Sequence, residues 1–64
     1  MRVILQKSGK TVDLEHRGDA KSLLDKLGVN PQEVLIVKDG TLITEDVDIT
    51  DAKELLIVAV VSGG

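Results

Sequence analysis

The chain contains no cysteine, so neither a disulfide nor a thiolate-held zinc can staple the fold, and no thiol nucleophile is present. Phenylalanine, tyrosine and tryptophan are absent as well. Their absence removes the stacking platforms on which single-stranded nucleic acids rest. It also leaves Leu, Ile, Val and Ala to build the core, each large aliphatic side chain contributing about 1.5–3 kcal/mol when fully buried. No apolar run approaches the roughly 20 residues of a membrane span. The longest, 55–61, has seven, and Val3-Ile4-Leu5 is too short for a signal peptide. Nor is there a basic surplus: the net charge is −3 with the signs interspersed, which argues against a nucleic-acid footprint. At 64 residues, the chain is expected to form one soluble, cytoplasmic domain spanning 1–64, near the lower size limit for a self-sufficient core. It is expected to bind neither nucleic acid nor membrane.

What is present alternates in an ordered way. Val3-Ile4-Leu5, the polar turn Lys7-Ser8-Gly9-Lys10 and the alternating run 11–15 predict a β-hairpin with Val12 and Leu14 on one face. Asp19 is the candidate N-cap of a helix in which Ala20, Leu23, Leu24 and Leu27 form one apolar stripe. Gly28 is placed to end it in a left-handed conformation, with Pro31 beyond. Residues 33–38 read as a strand, Asp39-Gly40 as a hairpin turn, and Thr41-Leu42-Ile43 as the return strand. An acidic, turn-rich stretch, 44–53, has Val47 and Ile49 as anchors, and 55–61 is the last strand.

The order is therefore strand, strand, helix, strand, strand, strand. Continuous apolar runs mark central strands, so the first and last strands should lie side by side in the sheet centre. The expected architecture is an α+β β-grasp: a mixed four- to five-stranded sheet with one helix packed on one face. One helix covers one face only. Alternation turns Val3, Leu5, Val34, Ile36, Leu55, Ile57 and Ala59 toward the helix. Ile4, Leu35, Val37, Leu56, Val58 and Val60 are then left on the uncovered side. A contiguous apolar face of this kind is the candidate partner-binding surface. Strand propensity alone, or pairing of two copies, would also account for it.

Several motifs fail on inspection. Gly9-Lys10-Thr11 ends like a phosphate-binding loop, but Ile4 stands where the earlier glycine is required. Asp46, Asp48 and Asp51 open like a calcium loop, but Asp51 occupies the glycine position and Ile57 the final glutamate position. His16 has no partner at a recognisable spacing and reads as a surface loop residue, and Ser8, Ser22 and Ser62 have no base beside them. No catalytic constellation and no metal site is expected. The expected reacting group is instead the end of the chain, Ser62-Gly63-Gly64. Without Cβ atoms, the glycines of such a tail can thread a narrow channel. By chance, roughly one chain in 200 would end in two glycines.

The element order, the size and the ending Val60-Val61-Ser62-Gly63-Gly64 together resemble the ubiquitin-like β-grasp family over the whole chain. Within it, the chain is most similar to the sulfur carriers of thiamine-thiazole and molybdopterin synthesis and to archaeal small modifier proteins. Two departures stand out. Asp51-Ala52-Lys53-Glu54 replaces the Gly-Asp turn usual in sulfur carriers, and Ser62 stands where ubiquitin has an arginine. The latter argues against a ubiquitin-type activating enzyme. The resemblance implies a substrate protein, not an enzyme. An E1-like adenylating enzyme, using its own ATP and Mg²⁺, would activate the carboxylate of Gly64. A persulfide sulfur donor would convert it to a thiocarboxylate. A sulfur-accepting enzyme of thiazole, molybdopterin or tRNA thiolation would then take the sulfur. This chain would bind no cofactor itself. Conjugation of Gly64 to target-protein lysines, or a purely non-covalent interaction domain, are the alternative roles.

Overall fold

The computed structural model describes residues 1–60. Its strands are β1 (Arg2–Leu5), β2 (Lys10–Asp13), β3 (Val34–Lys38), β4 (Thr41–Ile43) and β5 (Glu54–Ala59), with one α-helix, α1 (Ala20–Leu27). The sheet order is β2-β1-β5-β3-β4. β5 lies at the centre, parallel to β1 and antiparallel to β3. This is the α+β β-grasp arrangement expected from the pattern of apolar runs. The most continuous apolar run occupies the position with a neighbour on each side and a helix above.

α1 begins and ends where the local chemistry dictates. The Asp19 carboxylate accepts from the Ser22 backbone N–H at 2.9 Å and from its hydroxyl at 2.7 Å, pairing a donor that the first turn leaves orphaned. Gly28 takes the left-handed conformation, φ 71°, which is strained for a residue with a Cβ. The N–H groups of Gly28 and Val29 then turn back to the carbonyls of Asp25 (3.2 Å) and Leu24 (2.9 Å), closing the helix in a Schellman-like cap. The Asn30 side chain accepts from the Gln32 N–H, and Pro31 opens a short 3-10 turn, Pro31–Glu33, before β3. Alternation had assigned Glu33 to the strand; the asparagine cap and the proline φ pull it into this turn instead.

The helix stripe Ala20, Leu23 and Leu24 packs on Val3, Ile36, Leu55 and Ile57, joined by Ile49 and Ala52 from the long acidic segment. That segment is stitched to the start of α1: Ala20 N–H donates to the Val47 carbonyl, Lys21 N–H to Glu45, and Ile49 N–H to Gly18. Its order comes from these bonds and from the burial of Ile49, not from a repeating pattern. β3 and β4 are joined by Asp39-Gly40, both at positive φ (48° and 85°), the backbone of a two-residue hairpin. The Asp39 carboxylate accepts from the N–H groups of Lys53 and Glu54 and so ties that hairpin to the start of β5.

One expectation is corrected. His16 is not a surface residue: it is 8% exposed. The chain crosses beside the helix start at this point, and the ring packs over Gly18, whose φ of 121° a side chain would not tolerate.

Candidate functional site

β1, β5, β3 and β4 present their odd and even positions to opposite sides, and the register fixes which residues meet. Ile4 lies beside Leu56, Leu56 beside Val37, and Val37 beside Leu42. These four make an apolar row across the face away from α1, with Thr11 of β2 at its far end beside Ile4. A second row pairs Leu35 with Val58. Val60 follows β5, is 48% exposed, and its N–H donates to the Glu33 carbonyl at 2.8 Å. The alternation therefore stands as expected: Val3, Ile36, Leu55 and Ile57 are buried, while Leu35 is 44% exposed and Ile4, Val37, Leu56 and Val58 are half-buried.

Leu42 was not singled out from the sequence, yet at 62% it is the most exposed large apolar side chain described. A strand of three residues is too short for alternation to assign a face. Its pairing with Val37 across the Asp39-Gly40 hairpin decides the matter. The hairpin turn itself was the available signal.

The rim of the face is charged. Two residues toward the start of β1, the register aligns Asp13, Arg2 and Glu54 across β2, β1 and β5. Asp13 also lies 3.6 Å from the Met1 amino group. The face thus has an apolar middle and a polar border of both signs, the anatomy of a protein–protein contact surface. It extends through Val58 and Val60 toward the point where the chain leaves the sheet. Val61, Ser62, Gly63 and Gly64, including the candidate reacting group, lie outside the described residues.

On the opposite side, α1 is only eight residues long and stops short of the sheet end. The gap is an open cleft of about 400 Å³ lined by Leu5, Val29, Val34, Ile57 and Ala59, with Lys7 and Ser8 at its mouth. Among the described residues, no three His, Asp or Glu side chains gather as metal ligands, and no helix is long and apolar enough to cross a membrane.

Element order and sheet topology together define an α+β β-grasp protein. No protein-family model matches the chain. An uncharacterized protein of Archaeoglobus fulgidus is 39% identical over 56 residues, covering 86% of this chain and 82% of that one; the chain belongs to the same family. More distantly, it is 29% identical to sulfur carrier protein TtuB of Thermus thermophilus over 65 aligned positions that span both chains in full. That second likeness supports the ubiquitin-like sulfur-carrier class to which the sequence pointed.

Proposed function

We propose that this protein is a sulfur carrier whose reacting group is the carboxylate of Gly64. The observation that supports this most directly is the end-to-end likeness to a protein named as a sulfur carrier. A fold whose central strand runs toward the Gly-Gly segment adds to it. The proposal requires Gly64 to be the last residue of the mature protein.

In this reading an E1-like adenylating enzyme holds the face formed by Ile4, Leu35, Val37, Leu42, Leu56, Val58 and Val60. Such a surface supplies grip without chemistry, as an apolar middle with a polar rim does at protein contacts. The Gly64 carboxylate oxygen attacks the α-phosphate of ATP, releasing pyrophosphate and leaving an acyl adenylate. A persulfide sulfur then attacks the acyl carbon and AMP departs. A second thiol takes up the donor sulfur as a disulfide, and the thiocarboxylate is freed. The chain has no cysteine, so both thiols belong to partners. The role is that of a substrate, with ATP, Mg²⁺ and the catalytic groups supplied by the activating enzyme. The thiocarboxylate would then serve a sulfur-accepting enzyme.

Intact-mass spectrometry of protein isolated from its own host tests the proposal. A species heavier by the exchange of one oxygen for sulfur, located on the C-terminal peptide, is the expected result. Gly-Gly remnants on lysines of other proteins, with no sulfur-bearing form, would replace the carrier reading with that of a modifier.

A further inference from the structure

His16 and Lys26 form a contact that the carrier reading does not use. The His16 Nε2 lies 3.0 Å from the backbone oxygen of Asp19. A carbonyl oxygen only accepts, so Nε2 carries the hydrogen. In the neutral ring this leaves Nδ1 with a free lone pair. The Lys26 Nζ lies 3.3 Å from that Nδ1. The tautomer is therefore set by the backbone, and the basic nitrogen is aimed at an amine. His16 is 8% exposed, so its ring is held, whereas Lys26 is exposed on the last turn of α1. Among the described residues, Lys26 is the lysine whose amine meets a nitrogen base.

That geometry matches an amine nucleophile with its general base. When a neutral amine attacks an acyl carbon, the new nitrogen is cationic and must lose a proton, and a base within hydrogen-bond reach speeds that loss. We propose that Lys26 is an acyl-acceptor site, with activated carboxyl groups (acyl adenylates, thioesters or reactive esters) as its substrates. The ammonium first releases one proton to solvent. Nζ then bonds to the acyl carbon, the leaving group departs with its electron pair, and the second proton passes to Nδ1 and on to water. The product is an amide on Lys26. In the cell, the donor would be the activated C-terminus of a second copy. Only that donor rests on the proposed function; the reactivity of Lys26 does not.

The test uses the full chain and a simple donor. N-acetoxysuccinimide is added below stoichiometry at neutral pH, and acetylation at each lysine is quantified by peptide mass spectrometry. Lys26 should react about tenfold faster than Lys21 or Lys38, a factor below the usual range for a positioned general base because no binding site orients this donor. In His16→Gln, Lys26 should fall to the rate of those lysines while theirs stay unchanged. A fast Lys26 that survives in His16→Gln would overturn the proposal. So would a rate for Lys26 equal to that of Lys21 in the unaltered protein, a comparison that needs no folded variant.

Discussion

The carboxylates of Asp19 and Asp48 accept backbone N–H groups of the segments they begin, Ser22 in the first and Thr50 in the second. Asp19 is held below its ordinary value of 3.8 chiefly by the Ser22 hydroxyl and then by the Ser22 N–H. Asp48 is lowered by the Thr50 N–H and then by its side chain. A depressed folded-state pKa means that the unfolded chain binds more protons near pH 4, so stability rises with pH there. The contribution is complete above about pH 5 and is lost as pH falls through the ordinary value toward the lower folded one. Thermal midpoints taken between pH 6 and pH 3 should therefore drop, and drop less steeply below about pH 5 in the double variant Asp19→Asn, Asp48→Asn. Parallel slopes in the two proteins would refute the assignment. Of these two residues, Asp19 was legible in sequence, because an N-cap precedes an apolar stripe at fixed offsets. Asp48 was only one acid among several. His16 misled for a related reason. Its burial depends on how the chain crosses the start of the helix, and no local pattern encodes that crossing.

At the scale of the element, β5 shows how far alternation carries. Its successive residues Ile57 and Val58 point to opposite sides, the first 3% exposed against α1 and the second half-buried on the free face. Alternation in β1, β3 and β5 was enough to sort Ile4, Leu35, Val37, Leu56 and Val58 onto the free face, because strands with one covered side specify their parity. The short β4 carried no such information, and Leu42 entered only through its register with Val37. The 3-10 turn at Pro31–Glu33 and the buried Ala52 were likewise missed, since both depend on caps and loop packing more than on periodicity. The two sides of β5 should respond differently to the same charge. Ile57→Asp places a carboxylate in an aliphatic core and should unfold the domain, and even Ile57→Ala should cost about 2–5 kcal/mol. Val58→Asp should keep the native circular dichroism spectrum while slowing the proposed adenylation by an E1-like enzyme about tenfold or more, the loss expected at a contact hot spot. Normal adenylation of a folded Val58→Asp chain would remove the free face from the proposed contact.

At the scale of the whole molecule, the described core is built of side chains, caps and strand pairings, whereas the group proposed to react is a carboxylate on a residue that has no side chain. Among the described residues, the buried cluster from Val3 to Ile57, both caps of α1 and the five-stranded sheet supply the packing and the backbone pairing. Gly63 and Gly64 contribute no side-chain atoms to any core. Removing them should thus shift the thermal midpoint by no more than about 2–3 °C, the scale of a neutral surface change in a domain of this size. If Gly64 carries the sulfur as proposed, the same deletion should abolish the sulfur-bearing form completely, because the carboxylate it exposes belongs to Ser62, whose side chain a channel shaped for glycines would exclude. The decisive comparison is between the truncated chain and Val58→Asp in a host lacking the natural protein. If the protein is a carrier, both fail to restore sulfur transfer although both remain folded. If it is a non-covalent interaction domain, the truncated chain restores function and only the face variant fails. The contrast assigns the activity either to the end of the chain or to the sheet that carries it.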